Sequence, residues 1–181
     1  MRWIIFIALF WPAAASANDW AALDQPGAVA IMRHALAPGT GDPAGFDLGD
    51  CSTQRNLNEA GREQARSIGD AFRARGIVFD HVFTGQWCRT RETAQLLKLG
   101  PVTEVPALNS FFGDVSTRDS QTEATRALIA EQPGLVFLVS HQVNISALTG
   151  EFTRSGEVLV IRAGPKDIEV LGSILIEPPR P

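Results

Sequence analysis

Two histidines come directly after segments that are typical of buried strands. His34 closes the run that begins at residue 28, and His141 closes the run that begins at residue 135. An apolar wall below and a polar loop above hold an imidazole in one orientation, in which it can act as a nucleophile or as a metal ligand. A single histidine is more often a hydrogen-bonded structural residue. The pair therefore carries the functional hypothesis, and His81, at the start of another strand-like segment, is interpreted as structural.

Apolar runs and helical spacing alternate along the chain, and they indicate how these residues are positioned. We predict strands at 28–32, 81–84, 102–105, 135–139, 158–161 and 168–176, and helices at 58–76, 88–98, 120–131 and 142–148. The alternation predicts an α/β fold, a three-layer α/β/α sandwich with a mostly parallel central sheet. In such sheets the ligand site lies beyond the carboxyl ends of the strands. Three predicted strands end in Arg33-His34, Thr84-Gly85-Gln86 and Ser140-His141, so we expect these residues to meet in one site.

The first 17 residues have the layout of a secretory signal peptide. One positive charge, an apolar run over 4–11 and the small-residue end Ala15-Ser16-Ala17 follow one another. The apolar run is about half of the roughly 20 residues that a membrane-spanning helix needs. We therefore predict a signal peptide over 1–17, a single domain over 18–181, a periplasmic or secreted location and no stable membrane anchor after cleavage.

The composition of the chain limits the classes of binding partner, and its cysteines bear on the cellular compartment. Charged residues make up 20% of the chain, and the net charge of −4 leaves no basic excess for a nucleic acid or an anionic membrane. The expected partner is a small molecule or a local surface group. Cys51 and Cys88 are the only cysteines. In an oxidising compartment they form either one disulfide or two free thiols, and the sequence leaves both states open.

Four segments resemble the signatures of a known family. Residues 31–35, Ile-Met-Arg-His-Ala, resemble the strand-terminal Arg-His-Gly motif of the histidine phosphatase superfamily. Residues 82–94 are similar to its second signature, a strand followed by two small residues and then an arginine and Thr-Ala in a helix. Residues 138–141 resemble the third, a strand ending in a second histidine, and 57–65 resemble its Leu-Thr-x-x-Gly-x-x-Gln-Ala helix start. In this order, the four segments identify the chain as a member of branch 1, with a phosphoglycerate mutase-like fold.

The resemblance implies a role for each matching residue. His34 would attack phosphorus as a neutral imidazole and give a phosphohistidine that water hydrolyses. Arg33 and Arg89 match the family's arginines, whose planar and permanently charged guanidinium groups bind two phosphoryl oxygens at once. His141 matches the second histidine and would stabilise the transition state through a transferring oxygen. This chemistry requires no metal and no other cofactor.

The sequence departs from the family at the general acid. Many relatives carry a glutamate in the segment after the third strand, and residues 108–114 contain none. Asp114 is the nearest carboxylate and would serve if its loop folds back over the pocket, while Asn109 or Ser110 would position a substrate or water. Arg55, in the loop before the first helix, is either a third phosphate ligand or a solvated loop residue. The second signature also differs, with Gly85-Gln86-Trp87 where relatives have Ser-Pro-Leu.

The missing glutamate bears on the substrate. An alkoxide leaving group needs a proton, whereas an acyl phosphate needs it less and a phosphoramidate nitrogen takes one from solvent. The sequence therefore permits an Asp114-assisted sugar or alcohol phosphatase or a phosphatase for activated phosphoryl groups. The export signal is similar to that of family members acting on cell-envelope sugars such as lipopolysaccharide core heptose phosphate. We expect an exported hydrolase of the histidine acid phosphatase type, with a small or cell-envelope phosphorylated substrate.

Three other functions agree less well with the sequence than an exported phosphatase does. A non-catalytic phosphate-binding module would explain the missing glutamate, but it has no need of a nucleophile such as His34. A mutase-like phosphoryl transferase is disfavoured by export, because its usual substrates are cytosolic. A metal site made of His34, His141 and a carboxylate lacks the ligand spacing that would support it.

Overall fold

The computed structural model describes residues 18–164 and 167–176. The predicted signal peptide at 1–17 lies outside these ranges, as does Pro165 of a turn that the sequence predicts between the last two strands. Within the two described ranges, no helix is long and apolar enough to cross a membrane.

Strands and helices alternate along the described residues. The strands are β1 (Ala28–Arg33), β2 (His81–Thr84), β3 (Val102–Glu104), β4 (Val136–Ser140), β5 (Val158–Ala163) and β6 (Ile168–Ile174). The helices are α1 (Glu59–Arg73), α2 (Cys88–Leu97), α3 (Arg118–Glu131) and α4 (Gln142–Thr149). Each predicted element is present, with ends that differ by a few residues. For example, β3 ends before Val105, because Val105 precedes a 3-10 turn that begins at Pro106.

All six described strands form one sheet with the order β3-β2-β4-β1-β5-β6. Strands β3, β2, β4 and β1 pair in parallel, whereas β5 runs antiparallel to both of its neighbours. Strands β5 and β6 follow each other too closely for the crossover that a parallel pair requires. The predicted α/β sandwich with a mostly parallel sheet is confirmed, and β5 is its antiparallel exception.

The inner strands of the sheet are buried on both faces, where successive side chains of a strand point to opposite sides. Met32 of β1 packs with Phe72 of α1 and Leu97 of α2 in one apolar cluster. Its neighbour Ile31 lies in the other cluster, with residues of α3 and with Ile145 of α4. Helices α1 and α2 therefore cover one face, and α3 and α4 cover the other.

Helix α1 fixes the loop that follows β1. The side chain of Asn58 caps the helix by accepting from the Gly61 amide at 2.8 Å, as the sequence predicts. Gly61 lies so close to the Leu36 carbonyl that any β-carbon would overlap with it. From the next turn, Gln64 accepts from the Leu36 amide at 3.0 Å and donates to the Ser155 carbonyl at 2.8 Å. The backbone two residues after His34 is thus held on both sides.

Candidate active site

The carboxyl ends of β1 and β4 bring the two strand-end histidines together. Arg33 and Ser140 are register partners in this parallel pair, and the His34 amide donates to the Ser140 carbonyl at 3.0 Å. The rings of His34 and His141 lie edge to face, with centroids 5.5 Å apart. The ends of β1 and β4 therefore meet in one site, as the sequence predicts, whereas Thr84, Gly85 and Gln86 at the end of β2 do not line its pocket.

The His34 imidazole is held in one tautomer. Its Nδ1 lies 2.7 Å from the carbonyl oxygen of Ala35. Because a carbonyl only accepts, Nδ1 carries the proton and Nε2 keeps its lone pair. Burial lowers the pKa of His34 to about 3, with three nearby guanidinium groups adding to the shift and the Ala35 bond opposing it. The imidazole is therefore neutral at physiological pH and has a free nucleophilic nitrogen.

Three arginines line the same pocket as the two histidines. Arg33 ends β1, Arg55 lies in the loop before α1, and Arg89 is the second residue of α2. The pocket has a volume of about 260 Å³. Burial lowers the pKa of each arginine, and the positive charge of Arg89 lowers those of Arg33 and Arg55 further. Such crowding of like charges is costly unless an anion offsets it.

Several buried donors around this pocket have no hydrogen-bond partner among the described residues. They are Nε of Arg33, Nε of Arg89 and Nε2 of His141. The other ring nitrogen of His141 lies 3.5 Å from Arg89 Nη2, which can only donate, so this geometry assigns the proton to Nε2. An unsatisfied buried donor costs about 1–3 kcal/mol. An anion with several acceptor oxygens, such as a phosphoryl group, would satisfy these donors together.

His141 is also neutral. Burial lowers its pKa well below the usual value, and the nearby His34 imidazole and the positive charges of the three arginines lower the pKa further. The indole of Trp87 packs against the His141 ring edge to face, with centroids 5.4 Å apart. His141 is therefore positioned as an uncharged hydrogen-bond donor.

Asp42 also lines this pocket, and it is not among the site residues that the sequence predicts. Its Oδ1 and Oδ2 accept from the two terminal nitrogens of Arg89 at 2.7 and 3.1 Å, and the Trp87 indole and the Arg55 amide donate to it as well. Burial raises the pKa of Asp42, but the hydrogen bonds and charge of Arg89 outweigh it and hold the pKa below its usual value. Asp42 is therefore ionised and holds the guanidinium of Arg89 in place through two hydrogen bonds. No spacing in the sequence distinguishes it from Asp47 or Asp50 of the same loop.

Backbone turns fold the Asp42 loop over the pocket. Gly39, Gly41 and Gly45 adopt positive φ values of 93°, 69° and 75°, which other residues rarely adopt. The Arg55 Nε donates to the Gly41 carbonyl at 2.6 Å, which ties the end of the loop to its middle. Arg55 therefore lines the pocket as a half-buried residue, and its contact with a phosphoryl group stays a prediction.

The comparison with known families agrees with this arrangement. The model of the histidine phosphatase superfamily, branch 1, matches residues 29–127. The chain belongs to this superfamily. The matched segment runs from β1 into α3 and includes His34, Asp42, Arg55 and Arg89, while His141 lies beyond its end.

Solved structures share the fold of this histidine phosphatase at low sequence identity. One is assigned as the phosphohistidine phosphatase SixA of Agrobacterium tumefaciens, with 21% identity and a TM-score of 0.59 over 82% of this chain and 97% of that one. The protein histidine phosphatase SixA complexed with tungstate has 20% identity and a TM-score of 0.57, over 81% and 96%. A protein assigned as an α-ribazole-5′-phosphate phosphatase of Escherichia coli K-12 has 19% identity and a TM-score of 0.61, over 82% and 96%. No curated protein matches the sequence significantly.

The structure does not bring Asp114 or Asn109 into the pocket of His34. Asp114 is exposed and caps a turn, with Oδ1 accepting from the Ser116 amide at 3.0 Å and from its hydroxyl at 2.6 Å. These bonds lower the pKa of Asp114, so it stays ionised. The Asn109 amide is paired with Gln86, accepting from its backbone at 2.7 Å and donating to its side chain at 2.9 Å. The Asp114 side chain is therefore engaged in a local turn, and the Asn109 side chain is engaged with Gln86.

Within residues 18–164 and 167–176, no group of three or more histidine, cysteine, aspartate or glutamate side chains is arranged to hold a metal ion.

A disulfide joins the loop of the pocket to helix α2. Cys51 and Cys88 are bonded, with their Cα atoms 5.6 Å apart, which decides between the two states that the sequence left open. Cys88 begins α2 and precedes Arg89, while Cys51 lies four residues before Arg55. The bond therefore fixes the backbone next to two of the three pocket arginines.

Removing the disulfide is expected to weaken both stability and anion binding. In a Cys51→Ser/Cys88→Ser variant we expect the free energy of unfolding to fall by about 3–4 kcal/mol, because the bond closes a loop of this length in the unfolded chain. We also expect a severalfold weaker affinity for orthophosphate, because Arg55 loses part of its support. Urea unfolding and calorimetric titration measure the two effects. Wild-type protein in dithiothreitol should match the variant, and equal stability with and without reductant would contradict this account.

We expect the free energy of unfolding to decrease at acidic pH, because the buried histidines are neutral in the folded protein. The pKa of His34 is about 3 in the folded protein, and an unfolded histidine has a pKa of about 6.5. Between these values the unfolded chain binds more protons, so stability is lost as the pH falls from about 6.5 towards 3. The slope is at most about 1.4 kcal/mol per pH unit for each such group. Urea unfolding at several pH values should show a shallower slope for His34→Gln, and an unchanged slope would refute a neutral buried His34.

Proposed function

We propose that this protein is an exported phosphatase that hydrolyses a phosphate monoester or a phosphoramidate through a phosphohistidine intermediate on His34. The observation that carries the proposal is the state of His34. It is buried and neutral, its Nδ1 proton is held by the Ala35 carbonyl, and its Nε2 lone pair is free beside three guanidinium groups. A site that only bound phosphate would gain nothing from a nucleophile prepared in this way.

In the first step, the arginines offset the charge of the phosphoryl group so that a nucleophile can approach it. Nε2 of His34 then attacks phosphorus in line with the leaving group. The nitrogen–phosphorus bond forms while the bond to the leaving group breaks, and its electron pair departs with that group. The imidazole becomes a phosphorylated cation, which the Ala35 carbonyl stabilises through the Nδ1 proton.

His141 assists both steps as a neutral donor. Its buried Nε2, which lacks a partner among the described residues, is proposed to donate to a transferring oxygen. In the second step, water attacks the phosphohistidine, orthophosphate leaves, and the imidazole of His34 is restored. A neutral histidine is suited to this role because it donates a hydrogen bond without adding a further charge to the arginines.

The state of Asp42 favours leaving groups that need little protonation. Asp42 lines the pocket, but its contacts with Arg89 keep it ionised, so it is a poor proton donor. A phosphoramidate or the ester of an acidic alcohol can depart without help from the protein. The structures that resemble this chain include ones described as phosphohistidine phosphatases, whose substrate is a phosphoramidate. We therefore place activated phosphoryl compounds ahead of simple alkyl phosphates.

Export is proposed from the sequence of residues 1–17, and the disulfide supports it. Disulfides persist in the periplasm and outside the cell and are rare in the cytosol of most organisms. The phosphorylated substrate would then be a small solute or a component of the cell envelope, such as a phosphorylated sugar. Fractionation of cells that express the tagged full-length chain tests this proposal, and retention of the uncleaved protein in the cytosol would contradict it.

Turnover of p-nitrophenyl phosphate by the purified protein in EDTA tests the activity. We expect hydrolysis that survives EDTA and remains between pH 5 and 7, because His34 stays neutral over this range. Loss of activity in EDTA with recovery on adding a metal would overturn the proposed mechanism. Tight binding of orthophosphate without turnover of any activated substrate would indicate a phosphate-binding module instead.

A further inference from the structure

A second pocket adjoins the one that holds His34. It has a volume of about 490 Å³, and its walls include Phe46, Trp87 and Phe112. We call it the aromatic pocket. It shares Asp42, Ser110 and Phe112 with the first pocket, so the two pockets lie side by side. A group attached to a phosphoryl centre in the first pocket can therefore extend into the second.

The walls of the aromatic pocket suit a flat apolar group. The rings of Phe46 and Trp87 are tilted towards each other, with centroids 5.6 Å apart. Phe112 is 56% exposed and lies against Gly41, where even a β-carbon would be in contact with its ring. An aromatic side chain with this much exposed surface gains free energy by packing against another ring.

Most polar side chains that line the aromatic pocket already have partners within the protein, including Asp114, whose Oδ1 accepts from the Ser116 amide and hydroxyl. The Trp87 indole donates to Asp42, whose two oxygens also bind Arg89. The Ser110 hydroxyl accepts from the Phe112 amide at 3.3 Å. A sugar would bring several hydroxyl groups to walls with few free partners, and burying such groups unpaired is unfavourable. A flat ring without hydroxyl groups avoids this loss.

We propose that the aromatic pocket binds the leaving group, and that this group is an aromatic ring bonded directly to the phosphoryl group through oxygen or nitrogen. This inference rests on the proposed phosphatase function. Two independent features agree on it. The walls are aromatic, and a ring delocalises the electron pair that the leaving group takes, which suits a pocket whose two carboxylates, Asp42 and Asp114, are kept ionised by their hydrogen bonds.

Non-hydrolysable phosphonates test the inference, because their inhibition constants report binding to the pocket without any reaction of the phosphonate itself. We would measure inhibition of p-nitrophenyl phosphate turnover by methyl-, cyclohexyl- and phenylphosphonate, with orthophosphate as the reference. The phenyl compound is expected to bind about 30-fold more tightly than the methyl compound, because its ring contacts more than one aromatic wall. The cyclohexyl compound has a similar size but is not flat, and it should fall between them.

The Phe112→Ala variant tests whether the preference for phenylphosphonate arises in the aromatic pocket. It should reduce the preference for phenyl over methyl by about fivefold to tenfold, measured as the ratio of the two inhibition constants, in which any change in phosphate binding cancels. Phe112→Leu, which keeps apolar volume without a ring, should lose part of the preference. The control is Val115→Ala, which trims another exposed apolar side chain that lines neither pocket.

The outcomes separate this inference from the proposed function. Equal inhibition by methyl- and phenylphosphonate in an active enzyme would refute the proposed role of the aromatic pocket, but it would not affect the proposed phosphatase activity. Competition by glucose 1-phosphate that is tighter than by phenylphosphonate would replace the aromatic ring with a sugar. A protein that binds orthophosphate but has no turnover would refute the phosphatase, and direct titration with the phosphonates would still test the pocket.

Discussion

Replacing His34 with alanine is expected to lower kcat by at least about 10⁴-fold, as is usual when a covalent nucleophile is removed. Without the imidazole, no other nucleophile in the pocket is prepared to attack phosphorus, because His141 is proposed as a donor and Asp42 is bound to Arg89. The arginines remain, so the affinity for orthophosphate should change by only a fewfold. Steady-state turnover of p-nitrophenyl phosphate and titration with orthophosphate measure the two effects separately.

The intermediate itself gives a second measurement. Wild-type protein mixed with an activated phosphoryl substrate and quenched should carry an acid-labile, base-stable phosphate, and His34→Ala should carry none. His141→Ala should still take up phosphate, but more slowly, because it keeps the nucleophile. Turnover of His34→Ala within tenfold of wild type, or phosphate on another residue, would eliminate the proposed mechanism.

The parts of the site that the sequence predicts are those whose positions follow from regular structure. His34 and His141 each follow a buried parallel strand, and adjacent parallel strands end at the same edge of the sheet. Arg89 comes one residue into a helix that starts close to the end of β2. For these residues, the apolar patterns locate the elements and the family signatures indicate the side chains.

The loop residues of the site could not be predicted in this way. Asp42 reaches Arg89 only because glycines with positive φ turn the chain back over the pocket, and no periodicity encodes that path. Asp114 is the nearest carboxylate that the sequence offers as an acid, yet its side chain is bound to Ser116 two residues further on. Short polar side chains often close such local turns, and that tendency competes with any longer-range role. The pairing of Cys51 with Cys88 depends on the same loop path.

Arg89→Ala is expected to lower kcat/KM by about 10³-fold, at the upper end of what one preorganised electrostatic contact contributes. Two losses act together. The phosphoryl group loses a guanidinium partner, and the carboxylate of Asp42, only 9% exposed, loses the charge that offsets it and then repels the substrate. Unfolding should also become easier by about 3–5 kcal/mol, because a buried ion is left without its partner. Kinetics with p-nitrophenyl phosphate and urea unfolding measure the two consequences.

An Arg89→Met/Asp42→Leu variant separates stability from catalysis. Replacing both charges with apolar side chains of similar size removes the unpaired ion, so most of the lost stability should return. Turnover should not return, because the phosphoryl group still lacks the guanidinium. The Arg89→Lys variant tests whether the shape of the guanidinium matters as well as its charge. A lysine ammonium keeps the charge, but it cannot pair with both oxygens of Asp42 while it contacts the phosphoryl group. We therefore expect kcat/KM of this variant to stay well below that of the wild type. Recovery of turnover in the double variant would mean that Arg89 only shields Asp42 and does not bind the substrate.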